Sequence, residues 1–180
     1  MTALIGKSLP YTDLPATHGG VINPAKLRGL VVIFCYPYTG RPGIPNPPNW
    51  DVIPGAHGST PQAQAYAEHH ARFIALKAQV FGLSFQEPPW QSEFAKRCSL
   101  PFPLLSDTGR TFANALRLET FRTGGEDYLK RITLIARDAK IAAVHSDIRN
   151  PTMDAVETLE VLRSPAFAHA RHLSESGDPL

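Results

Sequence analysis

The hydrophobic pattern of the first half of the chain predicts a strand, a helix and a second strand. Residues 30–36 read L-V-V-I-F-C-Y, and residues 79–84 read Q-V-F-G-L-S. Continuous apolar runs rich in β-branched and aromatic residues are typical of strands buried on both faces of a sheet. The intervening segment, 61–77, places these apolar side chains on roughly one helical face: Ala63, Tyr66, Phe73 and Leu76. Because a helix joins the two strands, the pattern favours a parallel pair.

The second half of the chain predicts further elements of both kinds. Pro88 and Pro89 suit the opening turn of a helix, and the turn R-D-A-K separates two apolar runs that read as a hairpin. The predicted elements are a helix over 90–98, an apolar pair at 104–105 that ends in the turn S-D-T-G, a helix over 111–116, hairpin strands over 132–136 and 141–144, and a helix over 154–163. The sequence therefore predicts an α/β fold with a central mixed β-sheet flanked by helices. One domain covers 1–163, and a polar tail covers 164–180.

Proline is concentrated between the first strand and the first helix. The chain has 17 prolines, and seven of them fall within residues 37–61. Such a segment cannot form a helix interior or a central strand. We therefore predict a proline-rich insertion over 40–57. Two interpretations stay open for it: an ordered loop with a function, or a flexible surface insertion.

Composition excludes several classes of protein. A formal net charge of +2 over 180 residues argues against a nucleic-acid or membrane-surface partner. No apolar run approaches the ~20 residues that span a bilayer, and the N-terminus lacks a secretory signal pattern. Cys35 and Cys98 are too few for a disulfide framework, so a reducing, cytoplasmic location is expected. His69 and His70 are adjacent on a helix and have no third ligand at suitable spacing, so no metal site is predicted.

Ser59 lies on the turn that enters the predicted helix. Gly58 precedes it, Thr60 is a good N-cap, and Pro61 suits the first helical position. Backbone N–H groups and the helix dipole stabilise an anion at such a site. A serine hydroxyl gains little because it stays protonated at neutral pH, whereas a thiol would be shifted toward thiolate. A serine hydrolase is not favoured, because His57 and Pro61 stand where a G-x-S-x-G motif requires glycine.

Five segments, in order, resemble the peroxiredoxins of the thioredoxin-fold superfamily, in particular the bacterioferritin-comigratory or Q-type group. They are L-I-G-K-S-L-P-Y-T-D-L from residue 4, L-R-G-L-V-V-I-F-C-Y-P from residue 27, G-S-T-P-Q from residue 58, V-F-G-L-S followed by F-P-L-L-S-D, and K-R-I-T-L-I from residue 130. The resemblance covers residues 4–163. It implies a thioredoxin-like fold.

The resemblance also implies roles for individual residues. Ser59 stands at the position of the peroxidatic cysteine, and Arg131 stands at the active-site arginine that lowers the thiol pKa and positions the peroxide. Thr39 is the candidate hydroxyl donor. The segments around Ser59 and the first strand supply candidate substrate-binding residues: Pro37, Gly58 and Thr60. No metal, haem or flavin cofactor is implied.

The chain departs from the family pattern at the sulfur positions. Ser59 replaces the peroxidatic cysteine, and Gln64 stands where Q-type members often carry a resolving cysteine. About twenty residues separate Thr39 from Ser59, where the family has a compact loop. Cys98, at the end of the predicted helix over 90–98, is a candidate resolving thiol or a buried structural one. Ser59 is either a deliberate near-isosteric substitution or the mark of a natural inactive relative, and the intact remaining motifs favour substitution.

The resemblance implies a thiol-dependent peroxidase that reduces hydrogen peroxide or small organic hydroperoxides and is inactive with serine at position 59. Its reductant would be thioredoxin, glutaredoxin or a low-molecular-weight thiol, and it would be a monomer or a homodimer. The alternative is a non-catalytic thioredoxin-fold protein with a binding or regulatory role. Such a protein would bind a partner through the proline-rich insertion or a surface around Trp50 and Trp90.

Overall fold

A computed structural model describes residues 2–165 and 167. The strands are β1 (Leu14–Pro15), β2 (Val21–Ile22), β3 (Leu30–Cys35), β4 (Ala78–Ser84), β5 (Leu104–Ser106), β6 (Thr120–Thr123), β7 (Glu126–Leu129), β8 (Ile132–Arg137) and β9 (Lys140–His145). The α-helices are α1 (Ser59–Glu68), α2 (His70–Ala75), α3 (Pro88–Arg97), α4 (Thr111–Leu116) and α5 (Asp154–Arg163). Short 3₁₀ helices cover Thr2–Leu4, Pro24–Lys26, Trp50–Val52 and Pro151–Met153.

A five-stranded mixed sheet forms the centre of the fold, in the order β5-β4-β3-β8-β9. β3 pairs in parallel with β4, with Val32 opposite Val80, and β4 pairs in parallel with β5. β8 pairs antiparallel with β3 and with β9, and a register shift between Ile135 and Ala136 marks a bulge. The predicted mixed sheet flanked by helices is confirmed. The predicted parallel pair and C-terminal hairpin are also present.

Alternate residues of β3 enter two separate cores. Val32 and Phe34 belong to one apolar cluster, which includes Tyr66, Phe73 and Phe94 from the helices on that face. Val31, Ile33 and Cys35 belong to the other cluster, which includes Phe112 of α4. Every residue of β3 is buried, as its continuous apolar sequence predicts.

The helix predicted over 61–77 is in fact two helices, and it begins earlier. Gly58, with φ of 105°, is the N-cap of α1, so Thr60 lies inside the first turn and does not cap the helix. Only glycine adopts such a φ readily, which places the start at Ser59. Pro61 is still tolerated, because the first-turn N–H groups have no intrahelical partner. His69, with φ of −93° and ψ of 5°, separates α1 from α2.

The proline-rich insertion packs against a hairpin that the sequence analysis missed. β6 and β7 form a two-stranded antiparallel sheet joined at Gly124 and Gly125. The Thr123 hydroxyl donates a hydrogen bond of 2.5 Å to the Pro48 carbonyl, and Trp50 packs its ring against Tyr128 with centroids 5.0 Å apart. Trp50 is only 4% exposed. The insertion therefore packs against this hairpin through Pro48 and Trp50, and its functional role stays a prediction.

The polar tail predicted over 164–180 lies outside the described residues, apart from positions 164, 165 and 167. Within the described part of the chain, no helix is both long and apolar enough to cross a membrane.

Candidate active site

Ser59 lies at the first helical position of α1, in contact with Arg131. It is 3% exposed, and its Oγ accepts a hydrogen bond of 3.3 Å from Arg131 Nη2. Arg131 immediately precedes β8, so the sheet carries its guanidinium to the N-terminus of the helix. The structure therefore brings together two residues that lie 72 positions apart and that the sequence resemblance had assigned to one site.

Backbone carbonyls of the insertion hold the Arg131 guanidinium in place. Its Nη2 donates to the carbonyl of His57 at 3.0 Å and to that of Gly55 at 3.3 Å, and its Nη1 donates to the side-chain oxygen of Gln62. Burial lowers the pKa of Arg131 to about 10, and the nearby Asp154 carboxylate opposes that shift. The group therefore remains a cation at neutral pH. Its Nε is buried and has no partner among the described residues.

Asp154, the first residue of α5, is a buried carboxylate that orients Gln62. Gln62 Nε2 donates to Asp154 Oδ2 at 2.7 Å while its oxygen accepts from Arg131. The same Asp154 oxygen accepts from the Tyr66 hydroxyl at 2.9 Å and from the Thr133 hydroxyl at 2.8 Å. Asp154 is fully buried. A buried carboxylate requires such donors, and these donors come from α1 and β8.

His145, at the end of β9, connects Asp154 with the protein surface. Its Nδ1 lies 2.7 Å from Asp154 Oδ1, and its Nε2 lies 3.1 Å from Glu157 Oε2. The hydrogen bond to Asp154 raises the pKa of His145, and the charges of Asp154 and Glu157 add to this effect against the cost of burial. A continuous series of polar contacts therefore runs from Ser59 through Arg131, Gln62 and Asp154 to His145.

Thr39 is buried, but its side chain bonds to Gln86 and not to Ser59 or Arg131 among the described residues. Its hydroxyl donates to Gln86 Oε1 at 3.0 Å, and its carbonyl accepts from Gln86 Nε2 and from Trp90 Nε1. Among the described residues, no hydrogen bond joins Thr39 to Ser59 or Arg131. The catalytic role of Thr39 as a hydroxyl donor stays a prediction, as does the substrate-binding role of Pro37, which lines a different cavity.

Gly58 and Thr60 flank Ser59, and their substrate-binding roles stay predictions. A Cβ atom at Gly58 would lie 2.6 Å from Pro151 Cγ, so a side chain would collide there. Thr60 is partly buried in the first turn of α1. The exposed His57 ring bonds to Asp51 at 2.7 Å, and among the described residues no hydrogen bond joins it to Ser59.

Neither cysteine lies within this site. Cys35 is fully buried in β3, and burial raises its pKa far above the ordinary value. Cys98 caps the C-terminus of α3, is half-buried and has a pKa raised mainly by burial. A role for Cys98 in resolution stays a prediction. The described residues contain no group of three or more His, Cys, Asp or Glu side chains arranged to hold a metal ion.

The sequence analysis missed Gln62, Asp154 and His145 as site residues. The signal for Gln62 was present, since it ends the G-S-T-P-Q segment. Asp154 had none, because its partners Gln62 and Tyr66 lie 92 and 88 positions away and only the fold brings them together. His145 was missed with it, because its part in the site depends on its contact with Asp154.

Known proteins share both the sequence pattern and the fold. The sequence profile of the AhpC/TSA family matches residues 53–144. The chloroplastic peroxiredoxin Q of Populus jackii is 26% identical over 164 residues, which cover 88% of this chain and 68% of that protein. That of Sedum lineare is 27% identical, with 88% and 77% covered. Against several plant relatives the chain spans about two thirds of their length.

Solved structures of the same kind superpose on the chain. Peroxidoxin BcpB from Mycobacterium tuberculosis has a TM-score of 0.69 at 24% identity, covering 89% of this chain and 98% of that one. A peroxiredoxin Q from Xanthomonas campestris has a TM-score of 0.71 at 17% identity, covering 92% and 99%. At these identities the likeness establishes the thioredoxin fold. Together with the family match over half of the sequence, it shows that the chain belongs to the AhpC/TSA family, with a fold and motifs of the peroxiredoxin Q or bacterioferritin-comigratory type.

Proposed function

We propose that the chain carries the active-site frame of a thiol peroxidase acting on hydrogen peroxide or small organic hydroperoxides, and that serine at position 59 leaves it inactive. Relatives of the peroxiredoxin Q type support the peroxidase chemistry. The observation that carries the proposal is the contact between Ser59 Oγ, buried at the start of α1, and the Arg131 guanidinium.

The chemistry explains why the atom at position 59 decides activity. A thiolate attacks one peroxide oxygen, the O–O bond breaks, and the sulfur becomes a sulfenic acid while the other oxygen leaves with a proton as water or alcohol. Arg131 and the helix N-terminus stabilise the thiolate and the charge on the leaving oxygen. A serine hydroxyl stays protonated there and cannot be oxidised in this way.

The decisive experiment restores the sulfur. The variant Ser59→Cys, made together with Cys98→Ser, is mixed with hydrogen peroxide in stopped flow and analysed by mass spectrometry. We expect sulfenic acid at position 59, formed at least about 100-fold faster than on a free thiol, because the site lowers the thiol pKa and stabilises the leaving oxygen.

Two matched variants make the result interpretable. Thr60→Cys places a thiol in the same first turn without the contact to Arg131, and this thiol should react more slowly than that of Ser59→Cys. Arg131→Lys in the Ser59→Cys protein keeps the charge but removes the planar donor set, and should slow oxidation at least tenfold. Oxidation of Ser59→Cys no faster than of Thr60→Cys contradicts the proposal.

The second half of the cycle requires a reductant. We propose thioredoxin, glutaredoxin or a low-molecular-weight thiol in the cytoplasm, acting on a monomer or homodimer. With Cys98 retained, a disulfide between positions 59 and 98 after peroxide treatment would identify Cys98 as the resolving thiol. Direct reduction of the sulfenic acid by added thiol would indicate a one-cysteine cycle.

The alternative function is a non-catalytic binding protein. It is favoured by the absence of sulfur at both family positions, Ser59 and Gln64. The sequence predicted a binding surface around Trp50 and Trp90. Trp50 is buried against Tyr128, so only the partly buried Trp90 exposes part of its ring to a partner. Capture of a partner that depends on residues 41–54, with the Ser59→Cys protein inert toward peroxide, would support this alternative.

A further inference from the structure

A cavity of about 400 Å³ opens at the carboxyl ends of the three parallel strands. Pro37 and Tyr38 follow β3, Phe85 and Glu87 follow β4, and Thr108 follows β5. Open α/β sheets place ligands at this edge, outside the carboxyl ends of their strands. The lining includes neither Ser59 nor Arg131, so the cavity is separate from the candidate peroxidase site.

Aromatic rings form much of the cavity wall, and hydrogen bonds fix one of them. Tyr38, Phe85, Trp90 and Tyr128 all line the cavity. The Trp90 indole N–H donates to the Thr39 carbonyl at 2.8 Å. Tyr38 lies against Trp90 and against Tyr128, with centroids 5.6 Å and 6.1 Å apart. A wall held in this way presents ring surface without reorganising, which lowers the entropic cost of binding.

Charged groups of both signs surround the cavity, and the Arg110 guanidinium lies 5.3 Å from the Phe85 ring centroid. Three carboxylates line the cavity, Glu87, Glu126 and Asp127, against one cation, Arg110. Asp127 is held between Arg110 and Arg122. Glu87 and Glu126 form no ion pair with any described residue. The Glu126 charge acts within the cavity, since it adds to burial in raising the pKa of Tyr128.

We propose that this cavity binds a small organic cation with a flat aromatic body. The rings receive the aromatic part by stacking and the ammonium by cation–π attraction, and the Glu126 and Glu87 carboxylates supply the opposite charge. The protein already uses this type of contact on the same wall, since the Arg41 guanidinium lies 4.5 Å from the Trp90 ring centroid. The proposal does not depend on the peroxidase proposal, because neither Ser59 nor Arg131 lines the cavity.

The test uses the unaltered chain, with Ser59, and phenethylamine as the probe. Binding is followed by calorimetry of that chain and, in a separate Trp50→Phe variant, by the fluorescence of Trp90. We expect saturable binding with one site per chain. Phenylacetate, which keeps the ring and reverses the charge, should bind at least about tenfold more weakly because of the rim carboxylates.

Variants separate this site from unspecific binding. Glu126→Gln should weaken phenethylamine binding about fivefold, and Trp90→Leu about tenfold, whereas Glu68→Gln, an exposed change on α1, should have no effect. Sedimentation at the same concentrations shows whether a second copy covers the cavity. Equal affinity for phenylacetate, indifference to Glu126→Gln, the absence of saturation at millimolar probe, or a dimer that blocks binding would each overturn the proposal.

Discussion

Gly58 fixes the position at which α1 begins. Its φ of 105° lies in the left-handed region, and the space for a Cβ is taken by Pro151. Gly58→Ala should lower the free energy of unfolding by about 3 kcal/mol, from the left-handed penalty and the collision together. Urea denaturation monitored by circular dichroism measures the loss.

Gly55 provides the matched control for this change. Its φ is 78°, but a Cβ there meets nothing within 4 Å, so Gly55→Ala should cost only about 1 kcal/mol. Pro151→Ala in the Gly58→Ala protein should recover part of the loss. Equal losses for Gly55→Ala and Gly58→Ala would mean that contact with Pro151 plays no part.

Asp154 joins four secondary-structure elements through side-chain hydrogen bonds. Its partners lie on α1, β8 and β9, and it opens α5. Asp154→Ala should lower the free energy of unfolding by about 3 kcal/mol, because several buried donors lose their acceptor at once. Asp51→Ala, at an exposed aspartate that pairs with His57, should change it by less than about 0.5 kcal/mol.

A substitution at Asp154 should also change the thiol pKa at position 59. In the Ser59→Cys protein, Asp154→Asn keeps the shape but offers its neighbours an amide, so the orientation of Gln62 and of Arg131 is no longer defined. The thiol pKa of Cys at position 59, read from the pH dependence of alkylation, should rise by about 1 unit. An unchanged pKa in a folded variant would limit Asp154 to a structural role.

The hairpin of β6 and β7 holds the proline-rich insertion in place through contacts with Pro48. Thr123 Oγ1 donates to the Pro48 carbonyl, and a Cβ at Gly124 would lie 2.8 Å from Pro48 Cδ. Thr123→Val removes the hydroxyl at nearly constant volume and should raise hydrogen exchange within residues 41–54 several-fold, because local opening becomes easier. Thr120→Val, at an exposed position of the same hairpin, is the control. Equal exchange in both variants contradicts the role of this hydrogen bond.

How far the sequence predicts each element depends on whether its signal is local. The run at 30–36 is apolar throughout, so β3 was evident, and residues 111–116 and 154–163 were predicted with the observed bounds. The hairpin at 120–129 was missed, because T-F-R-T and E-D-Y-L are short and polar, although Gly124-Gly125 between them is a two-residue turn signal. The polar contacts of Asp154 depend on distant residues and on the completed fold.

At the scale of the whole molecule, two histidines make stability depend on pH in opposite directions. The pKa of His145 is raised, chiefly by its hydrogen bond to Asp154 and with help from Glu157. The pKa of His70 is lowered by burial. The contribution of His145 to the free energy of unfolding is therefore fully present below its unfolded pKa of about 6.5. It is lost as the pH rises through the pKa that His145 has in the folded state. The contribution of His70 to the free energy of unfolding is lost as the pH falls below about 6.5.

The free energy of unfolding should therefore decline between about pH 6.5 and the folded pKa of His145, and His145→Gln should remove that decline. Urea titrations at half-unit pH steps from 5 to 9 measure this decline, as the difference in the free energy of unfolding between the unaltered chain and the variant at each pH. His70→Gln is the control of opposite sign, since it should remove a decline on the acidic side. NMR titration of the two rings supplies the folded pKa values independently. If the difference between the unaltered chain and His145→Gln is flat across this range, Asp154 does not hold His145 as a cation.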